Sequence, residues 1–283
     1  MGDAPIVPVP GPWKLKGTMY IVSFFSKAGK LPDHAYSSLE RDSTYASPTT
    51  SGEHRGGIGQ FQAIRYTESP VGPYDELIIC PGDFDYEVDE GGKRKKRRSP
   101  RVSRIYVSQK HTCWNGRTNW NIPKHLARFE WDDLGGAATR IRVYPHDTTG
   151  DSTESRPCNV PLFQATVKPI RWAPAFPFSF SWLRYMGLEP CLVQPPLPAG
   201  EGSHNELPGT DRWCKVAPAI STKRASLAWA DLSQKNEQGE LTSSVAHENF
   251  WPDLGRWQLA LKLDDADIDF PEGTYWGVPG TML

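Results

Sequence analysis

The stretch Gly116-Arg117-Thr118-Asn119-Trp120-Asn121-Ile122-Pro123-Lys124-His125-Leu126 sets one lysine directly behind a proline in a mostly uncharged run. A lysine amine ordinarily titrates near about 10.4, so only about one in 2,500 is unprotonated at pH 7. To act as a nucleophile it has to be desolvated or placed beside another cation. Trp114, Trp120, Ile122, Leu126 and Phe129 supply apolar groups that would exclude water from Lys124, and His125 is the adjacent titratable group. On these residues alone, a surface lysine between a strand and a turn is the simpler reading.

Outward from this stretch the chain reads as short strands: residues 18–25, 58–66, 74–80, 101–109, 138–144, 161–170, 226–232 and 256–263. Residues 58–66 alternate Ile58, Gln60, Gln62 and Ile64 on one face, and 256–263 alternate Trp257, Leu259, Leu261 and Leu263. The aromatic segment 176–182 alternates large and small residues and suits a strand facing an interior. Only residues 32–43, behind Leu31-Pro32-Asp33, suggest a helix, and a short one. The lysine stretch itself follows the 101–109 strand through a tryptophan-flanked loop at residues 113–116.

With 26 prolines, 25 glycines and 11 tryptophans, the composition favours strands and ordered loops over helices. Residues 1–14 read as an extended proline-rich arm anchored by Trp13, residues 146–156 as a mobile polar loop, and 193–211 as a long surface loop. Residues 83–101 read as a charged hairpin, an acidic arm and a basic arm joined at Gly91-Gly92. Its basic run, Lys93 to Arg98, would also pass for a nucleic-acid patch, but the acidic arm neutralises it locally. Some ten strands with few helices predict a mainly β chain, a closed antiparallel β-barrel or sandwich in one domain over residues 1–283.

The 32 basic and 33 acidic side chains balance, so no global field recruits nucleic acid or an anionic membrane, and a small molecule is the expected partner. The five cysteines show no CxxC spacing and are expected to be reduced. The absence of a leader-like segment and of a long apolar run predicts a soluble, cytoplasmic protein. The seven histidines lack metal-ligand spacing, and no Gly-x-Ser-x-Gly elbow, Walker loop or Gly-x-Gly-x-x-Gly motif occurs. Neither a metal nor a cofactor is expected.

Gly116-Arg117, with Pro123-Lys124 beginning six positions on from Arg117, resembles the active-site signature of the acetoacetate decarboxylase family, Gly-Arg followed by Pro-Lys-Lys at that spacing. Tyr106 stands ten positions before Gly116, as a tyrosine does in that family. Gly72-Pro73-Tyr74-Asp75-Glu76 looks like its Gly-x-Tyr-x-Glu segment, and Gly11-Pro12-Trp13-Lys14 resembles its Gly-Pro-Tyr-Lys entry. The resemblance covers roughly residues 11–130 and implies a β-barrel or cone with an interior pocket. In such a pocket Lys124 would form a Schiff base with a ketone, and Glu76 would handle a proton or the substrate carboxylate. For Glu76 a surface carboxylate on a strand edge is the competing reading.

The departures narrow what the resemblance implies. The family's second lysine is His125 here, a family arginine aligns with Thr18, and a glutamate aligns with Gln62. Activation of Lys124 would then come mainly from burial, on a substrate larger and less charged than acetoacetate. The expected activity is a cofactor-free Schiff-base lyase, decarboxylating or cleaving an aldol, on a bulky secondary-metabolite-like carbonyl compound. Thr18, Gln62, Tyr106, Trp120, Ile122 and His125 would contact the substrate, with Phe178 and Phe180 as further aromatic lining. The alternatives are a non-covalent cyclase or isomerase in the same pocket and a lipocalin-like carrier without catalysis. Family members often assemble as homo-oligomers.

Overall fold

The computed structural model describes residues 4–145, 161–182, 191–233 and 254–277. The polar loop expected over 146–156 lies outside them. In chain order the strands are β1 (Trp13–Ser26), β2 (His54–Glu68), β3 (Tyr74–Cys80), β4 (Asp83–Asp89), β5 (Arg94–Pro100), β6 (Arg104–Val107), β7 (Lys124–Asp133) and β8 (Thr139–Pro145). They continue as β9 (Phe163–Pro169), β10 (Phe176–Ser179), β11 (Leu192–Gln194), β12 (Arg212–Val216), β13 (Ala219–Asp231), β14 (Trp257–Phe270) and β15 (Thr274–Gly277). The α-helices are α1 (Ser38–Arg41), α2 (Pro48–Ser51) and α3 (Lys110–Trp120). None is long and apolar enough to cross a membrane.

Nine strands close into a barrel, in the order β1, β14, β13, β9, β8, β7, β6, β3, β2 and back to β1. Every pairing around it is antiparallel except one. The exception is β6 beside β7, which run parallel with Ile105 opposite Lys124 and Tyr106 opposite His125. A parallel neighbour needs a crossover connection, and α3 provides it. The barrel is therefore mixed, and its one parallel seam carries Lys124.

Period-two alternation divides the strands between two cores. Inside the barrel pack Tyr20 and Val22 of β1, Phe61 and Ala63 of β2, Leu77 and Ile79 of β3, Ile141 and Val143 of β8, and Ala228 and Ala230 of β13. These side chains fill the lumen. The intervening residues, Met19, Ile64, Ile105, Leu126 and Leu263 among them, form a second cluster on the other face of the strands, with Trp13, Cys113 and Trp120 packed over it. The candidate site lies in this second layer, between the outer face of the barrel and its cover, rather than in the interior that the resemblance implied, because the first cluster fills the lumen.

The remaining strands build that cover and its edge. The β4–β5 hairpin continues β2, with His54 opposite Phe84 and Asp85 opposite Arg98. Strand β10 pairs with β13, and β11, β12 and β15 form a small separate sheet. Of residues 193–211, expected as a surface loop, Val193 and Gln194 belong to β11, and Leu197, Glu206 and Leu207 are buried. The N-terminal arm runs along α3, where Asn115 accepts from Val9 N at 2.7 Å and donates to Val7 O at 3.0 Å.

Candidate active site

The segment that joins β6 to β7 is a helix rather than the expected loop. Its sequence, Lys-His-Thr-Cys-Trp-Asn-Gly-Arg-Thr-Asn-Trp, has no apolar stripe, so its ends hold it. The Gln109 side chain accepts from Thr112 N at 3.2 Å, and Asn121, at φ 53°, closes the last turn by donating its N–H to Arg117 O at 3.0 Å. Asparagine tolerates this left-handed position. Pro123 then directs the chain into β7.

Cys113, Gly116 and Arg117 lie on one face of α3, at the spacing of a single turn, and all three meet Lys124. Cys113 Sγ and Arg117 Nη1 each donate to Lys124 O, both at 3.2 Å. Burial pushes the Cys113 thiol well up, which keeps its proton available for that bond. A side chain at 116 would meet Lys124, because a Cβ there would stand 2.6 Å from both Cδ and Cε. The glycine makes room for the lysine's stem, and its two neighbours fix the lysine's backbone.

Lys124 is 4% exposed. Its Nζ donates to Glu76 Oε2 at 2.6 Å and to Thr112 Oγ1 at 3.0 Å, and stands 5.2 Å from the centre of the Tyr74 ring. Glu76, equally buried, accepts on its other oxygen from the Tyr66 hydroxyl at 3.0 Å. Burial, reinforced by the Glu76 charge, raises the phenols of Tyr66 and Tyr74 well above their ordinary range. Both therefore stay protonated. The result is a buried amine, a carboxylate and two phenols in one hydrogen-bonded group.

This group faces a cavity of about 770 Å³. Its walls include Met19 and Ile64, the Gln60–Gln62 pair, Trp120, Ile122, Phe180 and Phe270. Gln62 Nε2 donates to Gln60 Oε1 at 2.7 Å. Trp120 is held by a hydrogen bond from Nε1 to Pro271 O at 2.8 Å and meets Trp13 edge-on at 5.2 Å. Around the Lys124 cluster the wall is mostly apolar, with the glutamines as a second polar place, and charged side chains of the β4–β5 hairpin line the cavity farther along.

Of the residues expected to contact a substrate, Gln62, Trp120 and Ile122 line the cavity with Lys124 and Glu76. Phe180 lines it and Phe178 does not. Thr18, Tyr106 and His125 are also outside its wall. Thr18 sits across the β1–β2 pair from Arg65. Tyr106 belongs to the lumen core, with its hydroxyl accepting from Arg104 Nε at 2.7 Å. His125 follows Lys124 on a strand and so projects to the opposite face.

There His125 enters a buried charge cluster. Its Nε2 lies 2.6 Å from Glu40 Oε2, and Arg117 Nη1 donates to Glu40 Oε1 at 2.9 Å. All three side chains are essentially inaccessible. Burial alone would raise the Glu40 carboxyl, but His125 and Arg117 outweigh it and hold the group below its ordinary range. Arg117 also donates to Pro208 O at 3.0 Å and Pro198 O at 2.7 Å. Every contact of Arg117 is therefore structural, and it ties the helix, the start of β7 and the covering segment together.

Glu40, Tyr66 and Thr112 were not among the expected site residues. Tyr66 had a signal, since it continues the alternation of Ile58, Gln60, Gln62 and Ile64. Glu40 had none, because it reaches the cluster from a one-turn helix far away in sequence. Among the described residues, no three His, Cys, Asp or Glu side chains converge as metal ligands.

Solved structures of the same architecture align over nearly the whole chain. The acetoacetate decarboxylase of Legionella pneumophila superposes with a TM-score of 0.54 over 99% of this chain and 94% of its own, at 12% identity. The fold is that of acetoacetate decarboxylase. A second acetoacetate decarboxylase structure gives 0.52 over 96% and 92%, also at 12% identity. The enduracididine biosynthesis enzyme MppR, with HEPES buffer bound, gives 0.51 over 99% and 98% at 13% identity. No family model matches the sequence, and no curated protein matches it significantly. The acetoacetate decarboxylase-like fold is thus recognisable in three dimensions at a sequence distance where pairwise identity carries little.

Proposed function

We propose that this protein is a carbon–carbon lyase that works through an imine between Lys124 and a carbonyl substrate. The observation that supports it is the Lys124 Nζ, in the mostly apolar part of the cavity wall, 2.6 Å from the Glu76 carboxylate. A nucleophilic amine needs a base within hydrogen-bond reach to take its proton, and Glu76 meets that requirement.

In this reading Glu76 takes a proton from Lys124, and the neutral amine adds to the substrate carbonyl. The carbinolamine oxygen receives the proton back from Glu76 and leaves as water, giving an iminium. The bond to the β-substituent then breaks, and its electron pair flows into the iminium to form an enamine. The departing group is carbon dioxide from a β-keto acid, or an aldehyde from an aldol adduct whose β-hydroxyl gives its proton to the Glu76 carboxylate. Solvent, relayed through Glu76 and Tyr66, protonates the α-carbon. Water hydrolyses the resulting iminium and frees the amine. The apolar wall strengthens each charge interaction by excluding water, and it suits a bulky secondary-metabolite-like substrate.

The test is turnover of β-keto acids and aldol adducts of increasing chain length by the wild type and by Lys124→Arg. The expected result is product formation by the wild type alone, with both proteins melting at the same temperature. Turnover by the arginine variant would remove Lys124 from the chemistry.

A further inference from the structure

Arg97 and Arg98 of the β4–β5 hairpin line the cavity with Tyr86 and Lys215, and because both arginines are exposed while Lys124 is buried, the hairpin marks the solvent-facing end. Arg97 and Arg98 also border a neighbouring open depression whose other walls are Arg55, Lys96 and Asp85. The two concavities share these arginines.

Carboxylates are present here in nearly equal number: residues 83–98 carry five acidic and six basic side chains. Asp85 has Arg55 Nε at 2.5 Å, Lys96 Nζ at 2.9 Å and Arg98 Nε at 3.6 Å around it. Burial would raise its carboxyl, and Lys96 and Arg55 outweigh that and lower it. Arg55 has a second carboxylate in Glu53 at 2.6 Å. On the cavity side, Glu90 takes both Lys95 at 2.8 Å and Arg97 at 2.7 Å. Asp83 also lines the cavity and feels the Arg98 charge. A guanidinium has five donors in a fork, so one carboxylate does not exhaust it. The hairpin's charges are largely paired, but its guanidiniums keep donors to spare beside the cavity.

We propose that the substrate carries an anionic group at the end opposite its carbonyl, and that Arg97 and Arg98 hold this group at the mouth while the apolar stem reaches inward to Lys124. This deepens the imine reading and rests on it for the identity of the inner end. A terminal phosphate or carboxylate of a free amphiphile and the phosphate of a carrier-borne thioester arm present the same chemistry to the two arginines.

The experiment is calorimetric binding of decyl phosphate and of decanol to the full chain, wild type and the double variant Arg97→Gln/Arg98→Gln. Neither ligand has a carbonyl, so the outcome is independent of imine formation. Both arginines are exposed, and circular dichroism checks that the variant folds. The wild type is expected to bind decyl phosphate at least roughly tenfold more tightly than decanol, an advantage that shrinks with salt and disappears in the double variant. Displacement of bound decyl phosphate by 4′-phosphopantetheine would assign the anion to a carrier arm, and displacement by decanoate alone would assign it to a free amphiphile. Equal affinity for the two ligands, no binding of decyl phosphate, or an advantage that survives in the double variant would overturn the proposal.

Discussion

Gly116 and Lys124 share one space: the lysine's Cδ and Cε occupy the position a side chain at 116 would need, 2.6 Å from a Cβ built there. This explains in steric terms why a glycine and a lysine eight positions apart in sequence belong to one motif. It also separates activity from stability. Gly116→Ala raises helix propensity by about 1 kcal/mol while forcing the flexible lysine end aside, so the variant is expected to fold with a melting temperature near that of the wild type. Its turnover is expected to fall at least roughly a hundredfold, because misplacing a reacting group by about 1 Å costs that much. A melting curve and a turnover assay on the same sample check both halves.

Glu40 has the opposite signature. Removing one partner from a buried ion pair leaves an uncompensated charge and costs about 3–5 kcal/mol. Glu40→Ala strands both Arg117 and His125, so a loss of that order is expected in the denaturant midpoint, together with loss of activity as the start of β7 loosens.

The same residue sets an acid limit. Its carboxyl is held below the ordinary 4.5 by His125 and Arg117, so it contributes stability that is fully present above about pH 4.5 and is lost as pH falls through the lowered value. The wild type is expected to lose stability on the acid side of pH 4.5, and Glu40→Gln to show a flatter acid limb. Equilibrium unfolding between pH 3 and 7 measures the difference.

Glu76→Gln keeps the shape of the site but cannot take a proton, and turnover is expected to fall by roughly 10² to 10⁴. Tyr66→Phe removes the hydroxyl that donates to Glu76 Oε1 at 3.0 Å. A smaller loss, roughly tenfold, is expected in kcat rather than in KM. Steady-state kinetics on one substrate distinguishes the two.

The strands were legible because alternation is a local signal. The face read from Ile58, Gln60, Gln62 and Ile64 is the face that lines the cavity. The same rule, carried into β7, would have sent His125 away from Lys124, but residues 124–133 were not among the expected strands. Helix α3 was illegible because it has no apolar period: it buries Asn115 and Arg117 and relies on caps at Gln109 and Asn121. Without α3, the parallel β6–β7 seam and the role of Gly116 were out of reach. The Glu40 cluster joins residues that no local pattern connects. The gathering of cations at the hairpin is likewise a matter of placement, since Arg55 comes from β2 and Lys215 from β12.

Reduction with borohydride in the presence of a β-keto substrate traps the covalent bond at Lys124 if it forms. The predicted result is an irreversible mass increase equal to the reduced imine of the product or substrate, located on Lys124 by peptide mapping and absent in Lys124→Arg. A substrate that is turned over while no adduct forms on Lys124 would contradict it.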